Sequence, residues 1–303
     1  MTTSTKWFIG ILAVLALLAA GFTVVIFAVI SSSGERNETV TEGSGERIAV
    51  VDLRGEITSS EAVVRQLKKY RADRSVKAIL LHIDSPGGGV VASQEMYEEV
   101  RRTRDGGKPV IVSMGALAAS GGYYVACGAT RLVANRGTLT GSIGVISEFL
   151  QLKEALDKLG IAINTIKAGK LKDAGSPARK MTDDDRVYFQ RLMDDVHGQF
   201  MEVVARERKL SPARIRELAD GRVFTGEEAV QLGLVDTLGT FEDAVRIAGG
   251  IAGIKGEPAL VRERHVRAFW ESVFGDAGDA IRDLKQELID RPVLSYRFSR
   301  PAE

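Results

Sequence analysis

The sequence predicts an α/β protein in which strand, turn and helix recur as stacked units around a mainly parallel sheet. Two observations carry that expectation. Short runs rich in Val, Ile and Leu, such as VKAILLHI at 76–83, are apolar enough to be buried on both faces, as parallel strands between helices are. Each run leads into a glycine or small-residue turn and then a segment of helical periodicity. The length of 303 residues suits one large domain with appendages. With 41 basic against 40 acidic residues, no basic surface for nucleic acid is implied. A single cysteine, Cys127, excludes an intramolecular disulfide framework and thiolate zinc clusters, and reads as a small buried hydrophobe.

Taken in order, residues 7–30 are almost continuously apolar and carry no charge. At about 1.5 Å per residue such a helix exceeds the ~30 Å hydrocarbon core, so it is expected to span a bilayer as an uncleaved anchor. Lys6 precedes it and no positive excess follows, which places the N-terminus in the cytoplasm and the body outside the cytoplasmic membrane in a single pass. Residues 31–46 lack periodicity and are rich in Ser, Gly, Thr and Glu, the composition of a flexible linker. The globular domain is expected over 47–250, with 251–303 as a C-terminal extension.

Within that domain, strands are predicted at 48–53, 76–83, 110–114, 132–134 and 161–166. Helices are predicted at 60–70, 90–104, after Ser120, and at 149–159. A long helix follows, capped by Thr182, with Phe189, Leu192, Val196, Phe200 and Val203 on one apolar face. Ser211-Pro212 starts a further helix, and Thr225 with Glu228 forms a capping box. In the extension, Val266, Phe269, Trp270 and Val273 make an apolar stripe, and 276–289 is compatible with an amphipathic helix.

The stretch 108–128, KPVIVSMGALAASGGYYVACG, has a β-branched entry, a small-residue turn and a helical exit. Ser120 at that turn can present its hydroxyl where neighbouring N–H groups and the helix dipole converge, which is a nucleophile with half an oxyanion hole. It can also be a plain helix N-cap. A serine nucleophile needs a base. Of the three histidines, His82 lies in a strand, His197 in the long helix and His265 in the tail, and Ala118 breaks the G-x-S-x-G elbow, so a histidine triad is not expected. A lysine held neutral is the other base available, and Lys167, Lys170 and Lys172 cluster in one loop without spacing choosing among them.

The turn at 84–89, DSPGGG, fits G-x-G-x-x-A through Gly87, Gly89 and Ala92, but the next strand lacks the acidic residue a dinucleotide requires. No phosphate-binding G-x-x-x-x-G-K-[ST] and no H-E-x-x-H motif occurs, so neither ATP coupling nor zinc proteolysis is indicated and no cofactor is expected. What three glycines at a strand end can offer is bare N–H groups to an anion or carbonyl oxygen.

Together, DSPGGG at 84–89, the 113–124 block with ASGG, TGSIGV at 140–145, Lys172-Asp173 before Ser176-Pro177, and GRVFTGEEA at 221–229 through GLVD at 233–236 resemble the signal peptide peptidase A family in its short, single-copy form. The resemblance spans about 48–249. It implies a Clp-protease/crotonase-like superhelix of ββα units behind an N-terminal anchor. It implies a Ser-Lys serine endopeptidase with Ser120 as nucleophile and Lys172 as general base. Ser142 would orient the lysine, and Gly87, Gly88 and Gly121 would form the oxyanion hole. It further implies that remnant signal peptides and other apolar peptides are the substrates, that the copies form a homo-oligomeric ring, and that serine and lysine meet within one subunit. Ala174-Gly175 and the third glycine, Gly89, depart from the family pattern. The alternatives are a non-catalytic membrane scaffold and a crotonase-type acyl-CoA enzyme.

Overall fold

A buried parallel sheet carries the molecule, and its strands end where the small-residue turns begin. The computed structural model describes Gly21, residues 37–265 and residues 295–297. The chain divides into two compact units, Met1–Val40 with Glu263–Glu287, and Thr41–Arg262 with Leu288–Glu303. Of the first, the described residues are Gly21, 37–40 and 263–265. The second is described next.

Strands β2 (Arg47–Arg54), β3 (Val76–Ser85), β5 (Val110–Ala119), β6 (Arg131–Ala134), β9 (Thr237–Leu238) and β10 (Ala259–His265) lie in the order β10-β2-β3-β5-β6-β9, every neighbour parallel. β1 (Asn37–Glu42) falls in the stretch read as a linker. In β3, Ile79, Leu80, Leu81 and Ile83 are fully buried, each burial favouring the fold by roughly 1.5–3 kcal/mol. Burial on both sides follows from alternation. Ala49, Val51, Leu81 and Val112 face α1 (Glu61–Ala72), α2 (Val90–Asp105) and α3 (Gly121–Ala126), while Ile48, Val50, Leu80 and Ile111 face α8 (Phe241–Ile251).

β5 runs five residues beyond the predicted 110–114 because its small-residue end continues past a register shift against β3 between Ile83 and Ser85, where Ala118 still pairs with Ser85, and also pairs with β7 (Leu139–Gly141). β7 in turn pairs antiparallel with β8 (Val223–Thr225). α5 (Asp183–Arg208) begins at the expected Thr182 cap, which is a full capping box: Thr182 accepts from the Asp185 N–H and Asp185 accepts from the Thr182 N–H. α6 (Pro212–Leu218) and α7 (Gly226–Gln231) start at Ser211 and Thr225 as the sequence indicates. The expected 149–159 helix contracts to α4 (Lys153–Lys158), and none of its residues is buried.

No strand forms at 161–166. Ile161, Ile163 and Ile166 are exposed, and no neighbouring strand offers an edge to that alternating pattern. The expected anchor at 7–30, the apolar stripe and the 276–289 helix lie outside the described residues. Among the described residues no helix is long and apolar enough to cross a membrane.

Candidate active site

Ser120 stands at the junction of β5 and α3 with φ 51° and ψ −116°, a conformation a side-chain-bearing residue adopts at a cost of about 1–3 kcal/mol. Its backbone is held from both sides. The Ser120 N–H donates to the Gly141 carbonyl at 2.8 Å, and its carbonyl accepts from the Tyr124 N–H at 2.8 Å. The side chain is buried, and its Oγ has no hydrogen-bond partner among the described residues. An unpaired buried hydroxyl costs about 1–3 kcal/mol, so the chain holds both strain and an unmet polar group at one serine.

The topology brings Ser142 to the same place. Ala119 is level with Gly141 on the parallel strands β5 and β7, so Ser120 and Ser142 leave adjacent strand ends together. Ser142 is buried, also has positive φ (50°), and is fixed by its N–H donating to the Arg222 carbonyl at 2.8 Å.

The glycine turn closes the other side. β4 (Gly87–Gly89) is bonded to Ile57, whose N–H donates to the Gly87 carbonyl at 2.8 Å and whose carbonyl accepts from the Gly89 N–H at 2.7 Å. Gly87 has φ +96°, and a Cβ there would stand 2.5 Å from the Gly121 nitrogen, so only glycine lets the two backbones meet. The Gly87 N–H is taken up by Ser85 Oγ at 3.1 Å. Gly88 lies between two residues that face Ile57, so its own N–H and carbonyl point to the opposite side, away from Ile57. Of the glycines expected to bind an oxyanion, Gly88 thus has an N–H directed away from Ile57, whereas that of Gly87 is already taken.

That side is covered by β11 (Ser295–Arg297), antiparallel to β4 with Tyr296 opposite Gly88. Tyr296 is fully buried, stacked on Tyr124 (centroids 5.3 Å) and against Phe200 (4.7 Å), with its hydroxyl donating to the Val196 carbonyl at 3.0 Å. Neither Tyr296 nor the Ser85 contact was found from sequence. A β-prone run, VLSYRF at 293–298, just after Pro292 was the available signal for the first.

The three candidate lysines behave differently. Lys167 pairs with Asp173, whose carboxyl is held down at about 2 by Arg179 and Lys167, and Lys170 pairs with Asp184. Lys172 is exposed and makes no side-chain hydrogen bond or ion pair among the described residues, including to Ser120 or Ser142. His82 sits in the layer under α8, with Nδ1 3.2 Å from the Ser113 carbonyl and its ring edge-on to Phe241, and burial pushes its pKa down. Cys127 is buried, and burial pushes its thiol up to about 12, as a structural cysteine requires.

The model of peptidase family S49 matches residues 102–255, and that of Clp protease matches residues 33–153. A Synechocystis sp. protein named as a protease, slr0021, is 43% identical over 211 residues, covering 69% of this chain and 76% of its own length. One from Methanocaldococcus jannaschii, also named as a protease, MJ0651, is 36% identical over 271 residues, covering 84% and 86%. A protein of Enterococcus faecium named as signal peptide peptidase SppA is 36% identical over 222 residues, covering 69% and 64%. Among solved structures, a point mutant of ClpP1 from Listeria monocytogenes has 17% identity and a TM-score of 0.45, covering 64% of this chain and 93% of its own. With a strained, buried serine at a strand-to-helix junction, the S49 match and the protease relatives, the chain belongs to peptidase family S49, a serine-type peptidase of α/β fold.

Proposed function

We propose that this protein is a membrane-anchored endopeptidase that cleaves remnant signal peptides and other apolar peptides outside the cytoplasmic membrane, using Ser120 and Lys172. The observation that carries the reading is the Ser120 Oγ, buried without a hydrogen-bond partner among the described residues at the start of the helix that Gly121 opens. Ser120 Oγ adds to the scissile carbonyl while a neutral Lys172 amine takes its proton. The oxyanion is met by the N–H groups of Gly88 and Gly121, the lysine protonates the leaving amine, and water then releases the acyl group. Ser142, which leaves the strand end adjacent to that of Ser120, would hold the lysine amine. Lys172 is favoured over Lys167 and Lys170 because those two are already paired with carboxylates.

Lys172 is exposed while Ser120 is buried, so a second copy of the chain is the partner that completes the dyad. The exposed Leu159, Ile161, Ile163 and Ile166 give such a copy an apolar face to cover. This favours a homo-oligomer, with each lysine serving a neighbour's serine. The anchor reading rests on the uncharged apolar run at 7–30, which would keep the site near apolar peptides leaving the bilayer.

The test is hydrolysis of casein and of signal-peptide sequences by the detergent-solubilised chain. Cleavage by wild type and none by Ser120→Ala is expected. Activity retained in Ser120→Ala overturns the assignment.

A further inference from the structure

We infer that Arg179 is a positioning residue for the reaction: its guanidinium clips the segment that carries Lys172 to the first turn of α5, and so fixes where that lysine leaves the surface. The inference rests on the reading of Lys172 as general base. Asp173, the residue after Lys172, offers both carboxylate oxygens to Arg179, Oδ1 accepting from Nη2 at 3.0 Å and Oδ2 lying 3.0 Å from Nε. The same guanidinium donates through Nη1 and Nη2 to the two oxygens of Asp185, the Nη2 bond at 3.1 Å. Asp185 is buried and is already part of the α5 capping box, where it accepts from the Thr182 N–H at 3.0 Å. One planar fork thus spans two carboxylates, one beside the base and one inside a helix start. A lysine in its place could not hold both in that geometry.

A second contact seats the same segment. Gly175 has φ +77°, and a Cβ there would stand 2.7 Å from two ring carbons of Phe149 and 3.3 Å from Phe189. Those two rings lie against each other with centroids 4.3 Å apart. The glycine that departs from the family pattern is therefore what lets the backbone rest on this aromatic pair. Backbone hydrogen bonds complete the seating. The Lys172 N–H donates to the Gly169 carbonyl at 3.2 Å, the Ala174 N–H to Leu171 at 3.1 Å, the Ser176 N–H to Asp173 at 3.1 Å, and the Leu152 N–H to Pro177 at 2.9 Å. Lys172 is thus an exposed side chain on a fixed backbone, and the entropy of placing it is lost on folding rather than at each turnover.

Lys167 also pairs with Asp173, but its other bond is to the Lys170 carbonyl, so it ties the loop to itself and not to α5. Arg179 is the link between the two elements. Its remaining hydrogen bond is to the Lys180 carbonyl at 3.0 Å, and among the described residues it meets neither Ser120 nor Ser142, so it acts through Lys172. Because Arg179 and Lys167 hold the Asp173 carboxyl at about 2, Asp173 is ionised wherever a lysine amine can take a proton, and the clip stays closed over that range.

The experiment measures kcat and KM on fluorescein-labelled casein, with melting curves, for the full chain in detergent. Wild type is compared with Asp173→Asn, Arg179→Met, Arg179→Lys and the double variant Asp173→Asn/Arg179→Met, with Lys172→Ala as reference. Asp173→Asn keeps the Arg179–Asp185 pair and the helix start, so it answers even where Arg179→Met fails to fold. Asp173→Asn is expected to lower kcat about 10-fold and Arg179→Met about 30- to 100-fold, with KM within about 2-fold of wild type, because a misplaced base slows the chemical step and leaves substrate binding alone. Arg179→Lys should resemble Arg179→Met, and the double variant should fall no further than Arg179→Met, since both changes break one link. A kcat for Asp173→Asn equal to wild type, or a raised KM at unchanged kcat, overturns the clip. Losses that multiply in the double variant overturn it too, since the two residues would then act separately. If Lys172→Ala is inactive in any of these cases, the dyad stands without the clip. Lys172→Ala as active as wild type overturns both.

Discussion

The neighbourhood of Ser120 and the segment from Leu150 to Leu171 are built in opposite ways. Around Ser120 the serines, the glycine strand and Tyr124 are buried, and backbone hydrogen bonds from β7, β8 and Ile57 fix their positions. In the second region Leu150, Leu159, Ile161, Ile163, Ile166 and Leu171 are exposed, α4 buries nothing, and Lys172 follows in solvent. On the proposed assignment, the contrast means that one chain assembles the nucleophile and the oxyanion donors while Lys172 stays in solvent. A preorganised electrophilic site is stable alone because backbone groups make it. A lysine that must be desolvated to act gains from waiting for a partner surface.

The sharpest way to break the contrast is at its buried end. Ser120→Ala lowers peptidase activity by roughly 10⁴-fold or more, with the melting temperature unchanged or slightly raised because an unpaired hydroxyl is removed. Lys172→Ala lowers activity comparably, whereas Lys170→Ala and Lys167→Ala lower it by less than about 3-fold. Mixing the inactive Ser120→Ala and Lys172→Ala chains, then allowing exchange, restores activity if the dyad spans two copies. Persistent inactivity of the mixture places both groups in one chain. Since an ammonium cannot accept a proton, activity climbs from mildly acidic to alkaline pH, and a flat profile excludes a lysine base.

Next in size, Gly87→Ala drives a methyl into the Tyr296 carbonyl and the Gly121 nitrogen, so activity on casein falls about 10²- to 10³-fold. A rate near wild type would show that the glycine strand does not serve the reaction. In the exposed region, Ile161→Glu together with Ile163→Glu reduces the assembled mass in size-exclusion chromatography with light scattering, with little change in the melting of the single chain.

The smallest expected effect concerns stability rather than activity. Burial pushes the Asp236 carboxyl up, but Arg208 and the Leu132 N–H outweigh it and hold it below the usual value. The stability this contributes is present above the ordinary aspartate range, near ~3.9, and is lost as pH falls through the lower folded value. Arg208→Met removes the partner, destabilises by about 3 kcal/mol and moves acid unfolding to higher pH, as melts across acidic pH will register.

What the sequence made legible was local. Thr182 and Thr225 cap their helices through contacts three residues away, and the apolar run of β3 carries its own burial. The small residues at 118–122 mark where backbone must approach backbone. Residues 161–166 misled because alternation reports that a strand could form, not that an edge is free to pair with it. The extension of β5 depends on a register shift against β3, and the seating of β11 joins residues about two hundred positions apart. Neither leaves a periodic signal, and the division of Gly87, Gly88 and Gly89 among Ser85, β11 and Ile57 is visible only once those partners are placed.

The most direct measurement is active-site labelling with a fluorophosphonate probe, followed by mapping of the modified peptide, in wild type, Ser120→Ala, Lys172→Ala and Lys170→Ala. Modification of Ser120 in wild type and Lys170→Ala, with none in Ser120→Ala and little in Lys172→Ala, is the predicted result. Equal labelling of all four proteins, or an adduct on another residue, would contradict the Ser120–Lys172 assignment.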